Sequence, residues 1–278
     1  MSSTLHDASL VAENTDVIQQ IDPLFDVLSS TVPYRSDLVR LAAGTLAAVR
    51  LPSHLPAEWC AELVRALDDC EFDTYDERRI FPPVTKLGPA VFDYYLDHAI
   101  RAEYWEHAEQ SRRTWKRIVG DNDPLDTLIS ELRLIWQGPV EAATVGGREL
   151  FVGMVRELTG GARMHFDELM REFPGVVDQE LVAQFGFNCY ISVPEEGGEL
   201  VVYRRRWKPS DERERIGYGW SERIAADEPR VMVKPGVGDS VWFDSRNFHS
   251  ITPNTAGRRL SIAFFCGVTP ENKLVLWS

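Results

Sequence analysis

The sequence predicts an α+β fold in which helices brace the outside of a β core. Two observations carry this. Up to about residue 140, apolar residues recur at helical spacing; beyond Gly146-Gly147 they fall into short runs that alternate with a period of two. The 278 residues suit one large domain with a sizeable interior. It is read as a single unit, 1–278, in which 1–140 is mainly helical and 141–278 forms the β core, with an excursion at 204–230.

Residues 1–20 are polar, carry no pattern and are expected to be loosely held. From Ser36, DLVRLAAGTLAAVRLP reads as a short helix and then a strand through Leu46–Leu51, stopped by Pro52. Pro56 sits in the first turn of the next helix, AEWCAELVRALDDC, whose Trp59, Leu63 and Leu67 form a core-packing stripe. Asp68–Arg79 is acidic and turn-like, and Pro82-Pro83 breaks any periodicity. From Pro89 a long helical region is expected to run to Val119, with Phe92, Leu96, Trp105 and Trp115 on its apolar side. His98 and His107 lie nine apart within it, a spacing that favours packing or surface roles over a shared metal. Asp123-Pro124 opens another helix, LDTLISELRLIWQ, ended by Gly138-Pro139.

In the second half, ELFVGMVREL, QFGFNCYISV and ELVVY read as strands. Phe185, Phe187, Cys189 and Ile191 alternate with Gly186, Asn188, Tyr190 and Ser192, so one set faces a cleft and the other packs outward. Arg204–Arg230 is too long and too charged for a core strand. It is expected near the mouth of the cleft, where Trp207, Tyr218 and Trp220 are placed to close over a substrate. Pro235–Ser261 then reads as turn, the strand Val241-Trp242-Phe243, turn, and His249 opening a further strand. Arg259 and Ser261 begin the run RLSIAFF on one face with Ala263, and Arg258 falls on the other face.

His165 and Asp167 in ARMHFDELM are two apart, so on an extended segment they point to the same side. With His249 they make two imidazoles and one carboxylate, the set that holds non-haem Fe(II) while leaving positions open. Taken singly these residues have plainer readings: His165 as a loop histidine, Asp167 as a helix N-cap, His249 as a satisfied strand-end histidine. The order His-x-Asp, Pro-x-x-Gly-Asp, distal His, Arg-x-Ser along one chain favours the metal.

These residues resemble the 2-oxoglutarate/Fe(II)-dependent oxygenases. Within that group EEGGELVVYRRRW (195–207), the PGVGD turn and the ending ENKLVLWS are most similar to the freestanding halogenases of indole-alkaloid pathways and related small-molecule enzymes, over roughly Leu150 to Ser278. The resemblance implies a double-stranded β-helix of the jelly-roll or cupin kind, with Fe(II) on His165, Asp167 and His249. It also implies 2-oxoglutarate and O2 as cosubstrates, with the C5 carboxylate of 2-oxoglutarate on Arg259, aided by Ser261 and Tyr190. Arg258 is the alternative should the register slip by one, and Tyr190 the alternative of an ordinary strand tyrosine. Those halogenases carry glycine where this chain has Asp167, so the resemblance implies hydroxylation of a C–H bond. Desaturation, cyclisation or epimerisation at the same iron remain open, as does a non-catalytic β-barrel that binds a metal or ligand. Substrate contacts are expected from Arg156, Asn188, Trp207 and Trp220, with a structural salt bridge the other reading of Arg156.

The net charge of −13 argues against a nucleic-acid partner, whose phosphates demand clustered Lys and Arg. Cys60, Cys70, Cys189 and Cys266 show neither zinc-finger spacing nor a disulfide framework, which fits free thiols in a reducing cytoplasm. No secretory signal is read at the N-terminus, and no apolar run nears the ~20 residues of a membrane span. The expected partner is a free small-molecule substrate.

Overall fold

A computed structural model describes residues 22–278; the expectation for residues 1–20 lies outside this range. Two sheets enclose a cavity. The larger runs Val27–Ser29, Ala48–Leu51, Ser240–Phe243, Ala183–Ser192, Leu260–Val268, Met154–Glu157, Thr85–Leu87 and Asp73–Thr74, with Leu274–Trp277 and Val140–Ala142 branching from Leu260–Val268. The smaller runs Ala162–His165, Asn247–Ile251, Leu200–Arg206 and Arg230–Val233, all antiparallel. This is the double-stranded β-helix, with helices against the outer face of the larger sheet.

The outer face explains the alternation. Phe185, Phe187, Cys189 and Ile191 share one apolar cluster with Leu38 and Leu41, with Cys60, Leu63 and Leu67, and with Leu125, Leu128 and Leu132 of three helices. Those helices are Arg35–Ala42, Ala57–Leu67 and Pro124–Trp136. Phe187 stacks on Phe264 at 4.5 Å and meets Trp242 at 4.6 Å. Asp123 caps the third helix, accepting from the Leu125 amide at 2.8 Å, with Pro124 at its first position.

The Pro235–Asp239 turn is pinned by Asp239, 3% exposed. Its carboxylate accepts from Arg50 Nε (2.7 Å), Ser53 N (2.9 Å) and Gly236 N (2.7 Å), tying the turn to the strand Ala48–Leu51. Gly238 has φ +81°, and a Cβ there would lie 2.2 Å from the Leu55 carbonyl oxygen, so only glycine fits.

Three expectations need correction. The first half is less helical than its periodicity suggests, because Val27–Ser29, Asp73–Thr74 and Thr85–Leu87 join the larger sheet in addition to the expected strand Ala48–Leu51. Short strands of this kind lack the length to show a period. The expected helix from Pro89 to Val119 is broken: a hairpin, Tyr95–Leu96 with Ala99–Ile100, turns at Asp97 and His98, both at positive φ, before the helix Glu103–Val119. His249 lies in the middle of Asn247–Ile251, where the strand begins two residues earlier than its turn residues imply.

Candidate metal centre

His165 and His249 face each other across the antiparallel pair Ala162–His165 and Asn247–Ile251, so both imidazoles leave the sheet on one side, their ring centroids 4.3 Å apart. Asp167 follows the first strand by two residues. Its amide donates to the Ser245 carbonyl (2.8 Å), and its carbonyl accepts from Gln184 Nε2 (2.9 Å) and Ser245 Oγ (3.0 Å). This backbone clamp turns the carboxylate toward the histidines: Oδ2 stands 3.3 Å from His249 Nε2 and 3.8 Å from His165 Nε2. One donor atom from each of the three lies within 4.8 Å of the others.

The donor chemistry fits a divalent ion. His165 Nδ1 is hydrogen-bonded to the Arg163 carbonyl (2.7 Å) and His249 Nδ1 to the Asn247 carbonyl (2.9 Å). Each Nδ1 therefore carries the proton, and each Nε2 presents a lone pair to the centre. Burial, with His249 alongside, pushes His165 down to about 4. Burial would raise the Asp167 carboxyl, but His165, His249 and Arg156 beside it outweigh this and hold it at about 2. At neutral pH His165 is thus a neutral imidazole beside the Asp167 carboxylate, two donors that need lose no proton to bind a metal.

Arg259 is 1% exposed. Its Nε donates to the Gly198 carbonyl (2.9 Å) and Nη2 to Tyr190 Oη (3.3 Å), while Nη1 is buried with no partner. Gly198 admits the arginine stem, since a Cβ there would come within 3.2 Å of Arg259 Cδ. Burial depresses its pKa below the usual arginine value. A buried guanidinium with an unused N–H fits a carboxylate-bearing ligand such as 2-oxoglutarate. Ser261 is fully buried in register with Tyr190 and Arg156, its Oγ 3.5 Å from Asn188 Oδ1. Arg258 is on the outer face, held by both oxygens of Glu157 (2.8 and 3.0 Å) and by Asp68 (2.6 Å).

A cavity of about 440 Å³ joins these groups and is lined by His165, Asp167, His249, Arg259, Asn188 and Arg156 among others. Trp207 and Trp220 do not line it. Trp220 is 6% exposed in a cluster with Phe166 and Phe248, and Trp207 donates to Glu212 beneath Arg171. The hairpin Arg215–Ile216 with Gly219–Trp220 aims its tip inward, so Arg215, Gly217 and Tyr218 reach the cavity instead. Gln184, Ser245, Tyr75 and Glu172 were not signalled by the sequence. Gln184 alone had a hint, being in step with Gly186, Asn188 and Tyr190 on the inward set of its strand.

The family described as carrier-protein-independent halogenase WelO5 matches residues 28–278. L-gamma-glutamyl-L-propargylglycine hydroxylase of Streptantibioticus cattleyicolor is 37% identical over 258 residues, 91% of this chain and 96% of that one. A leucinostatins biosynthesis cluster protein of Purpureocillium lilacinum is 26% identical over 226 residues, 74% of this chain and 90% of its own length. Among solved structures, an N-substituted L-amino acid dioxygenase from Burkholderia ambifaria shares the fold, with TM-score 0.54, 14% identity, and 87% and 90% of the two chains covered. With that match over nearly the whole described length, the chain belongs to the carrier-protein-independent halogenase family, a branch of the 2-oxoglutarate/Fe(II)-dependent oxygenases.

Proposed function

We propose that residues 28–278 act as one oxygenase unit that hydroxylates an unactivated C–H bond of a free small molecule in natural-product metabolism. His165, Asp167 and His249 hold Fe(II), and Arg259 holds the distal carboxylate of 2-oxoglutarate, with Tyr190 and Ser261 beside it. When bound, Fe(II) with 2-oxoglutarate and O2 supplies the oxidant, one oxygen atom entering succinate and the other the substrate. The chain's part is orientation. Imidazoles held by backbone carbonyls, and an Asp167 whose own backbone carbonyl is held by Gln184 and Ser245, are already oriented to bind the ion. The apolar walls keep bulk water from the reacting groups.

The observation that carries hydroxylation over halogenation is Asp167. Its carboxylate stands at the third ligand position and fills the place a halide would take. The net charge supports a partner other than nucleic acid, and no helix among the described residues is long and apolar enough to cross a membrane. All four cysteines are free, which supports a reducing cytoplasm.

The test is succinate release from 2-oxoglutarate with Fe(II) under O2, beside equilibrium Fe(II) binding. Changing His165, Asp167 or His249 to Ala should abolish both; turnover unchanged in all three rejects the assignment.

A further inference from the structure

Two charged groups in the cavity are not used by the metal or the cosubstrate. Arg156 lies opposite Ser261 in the pairing of Met154–Glu157 with Leu260–Val268, so it leaves the larger sheet on the face that carries Ser261 and Arg259. Its Nε is buried with no hydrogen-bond partner, and the neighbouring Glu157 is engaged by Arg258. The other cavity arginines with acidic partners are already committed, Arg78 to Asp76 and Arg215 to Glu212. Glu172 also lines the cavity. One of its oxygens accepts from the Glu168 amide at 2.9 Å, and no ion pair among the described residues involves it, since the adjacent Arg171 turns to Glu168. Both Arg156 and Glu172 act electrostatically on the Asp167 carboxylate, yet they do not pair with each other. Both therefore stand near the candidate metal centre, Glu172 on the exposed side. Tyr75, Phe92 and Phe173 add aromatic wall to the same cavity.

We infer that the substrate is a small amino-acid-derived zwitterion, its carboxylate bound by Arg156 and its ammonium group by Glu172, with the oxidised carbon on the chain between. This rests on the iron and 2-oxoglutarate reading and assigns it a substrate class. A guanidinium and an acid that form no ion pair among the described residues are complementary to the two ends of such a molecule; burial and Asp167 push Glu172 up to about 8, and an ammonium group docking beside it would favour its ionised form.

The test is calorimetric binding, without O2, to protein loaded with Fe(II) and 2-oxoglutarate. The probes are γ-L-glutamyl-L-norvaline, its C-terminal amide and its N-acetyl derivative. On the unmodified protein the amide and the N-acetyl compound should each bind at least about tenfold more weakly than the parent. Arg156→Gln should collapse the acid-to-amide difference to less than about threefold, and Arg156→Lys should restore part of it. Glu172→Gln should collapse the N-acetyl difference and leave the amide difference standing. The inference is overturned if the parent binds no tighter than its amide, or if the differences survive in the variants. A fall in 2-oxoglutarate affinity in Arg156→Gln without these changes assigns Arg156 to the cosubstrate, and also overturns it. Failure of the unmodified protein to bind Fe(II) and 2-oxoglutarate marks instead the failure of the oxygenase reading.

Discussion

Arg259→Met separates stability from cosubstrate binding, because the two should move in opposite directions. In the ligand-free protein Arg259 is a buried cation, 1% exposed, with two hydrogen bonds and one orphaned N–H. Removing an uncompensated buried charge relieves several kcal/mol, about. Leaving the Gly198 carbonyl without its donor costs about 1–3 kcal/mol in return. The net expectation is a gain of about 1–3 kcal/mol, or a Tm higher by roughly 2–4 °C per kcal/mol for a chain near this size. Binding should suffer the reverse. A carboxylate that loses a desolvated guanidinium loses about 2–5 kcal/mol, which weakens 2-oxoglutarate by roughly 30-fold to a few thousandfold. Thermal unfolding with and without 2-oxoglutarate reads both effects. The unmodified protein at a hundred times its Kd gains about 2.7 kcal/mol from the ligand, and the variant at the same concentration should gain less than about 1 kcal/mol. A variant with a lowered Tm and an undiminished ligand shift refutes the reasoning, and makes Arg259 a structural cation.

Other perturbations give further checks. Gln184→Ala frees the Asp167 carbonyl and the Leu169 amide from their partner, and should weaken Fe(II) binding by about 10–100-fold in an equilibrium titration. Asp239→Ala strands Arg50 and two amides at the Pro235–Asp239 turn and should cost about 3–5 kcal/mol in denaturant unfolding. Phe187→Ala empties the stack between Phe264 and Trp242, with an expected loss of about 3–5 kcal/mol by the same measurement. In the metal-free protein the contribution of His165 to stability should be lost as pH falls from 6.5 to 4, since His165 is depressed to about 4 in the fold and over that window the unfolded chain binds the extra proton. Glu172, raised to about 8, acts in the opposite direction as pH rises from 4.5 to 8, so the His165 contribution is read as the difference between the unmodified and His165→Ala pH profiles.

The sequence carried the site better than the frame around it. His165 and Asp167 were legible as a pair because a spacing of two on an extended segment fixes side, and the same alternation favoured Arg259 over Arg258 while leaving a one-residue slip open. What holds them was not legible. Gln184 and Ser245 clamp Asp167 from 17 and 78 residues away, through a side-chain amide and a hydroxyl that have no local pattern. The strands Val27–Ser29 and Thr85–Leu87 are too short for periodicity and exist because the sheet offers them a partner. Trp207 and Trp220 were expected over the substrate because large aromatics in a charged loop suggest a lid. Which side of a hairpin faces inward depends on what it packs against, and here Phe166 and Phe248 take Trp220.

That hairpin has a second role with a bearing on any attempt to broaden the cavity. Ala162–His165, which carries one of the three candidate ligands, is the outermost strand of its sheet. Its free flank is covered: the Arg163 amide donates to Tyr218 Oη at 2.8 Å, and Gly219 lies so near the Met164 carbonyl that a Cβ would stand 2.5 Å from it. Trimming residues 215–220 to admit bulkier molecules would therefore unmask a strand able to zip onto another copy of the chain. Wider substrate scope and resistance to aggregation are coupled through six residues, so loop-shortened variants need screening for monodispersity before their activity is compared.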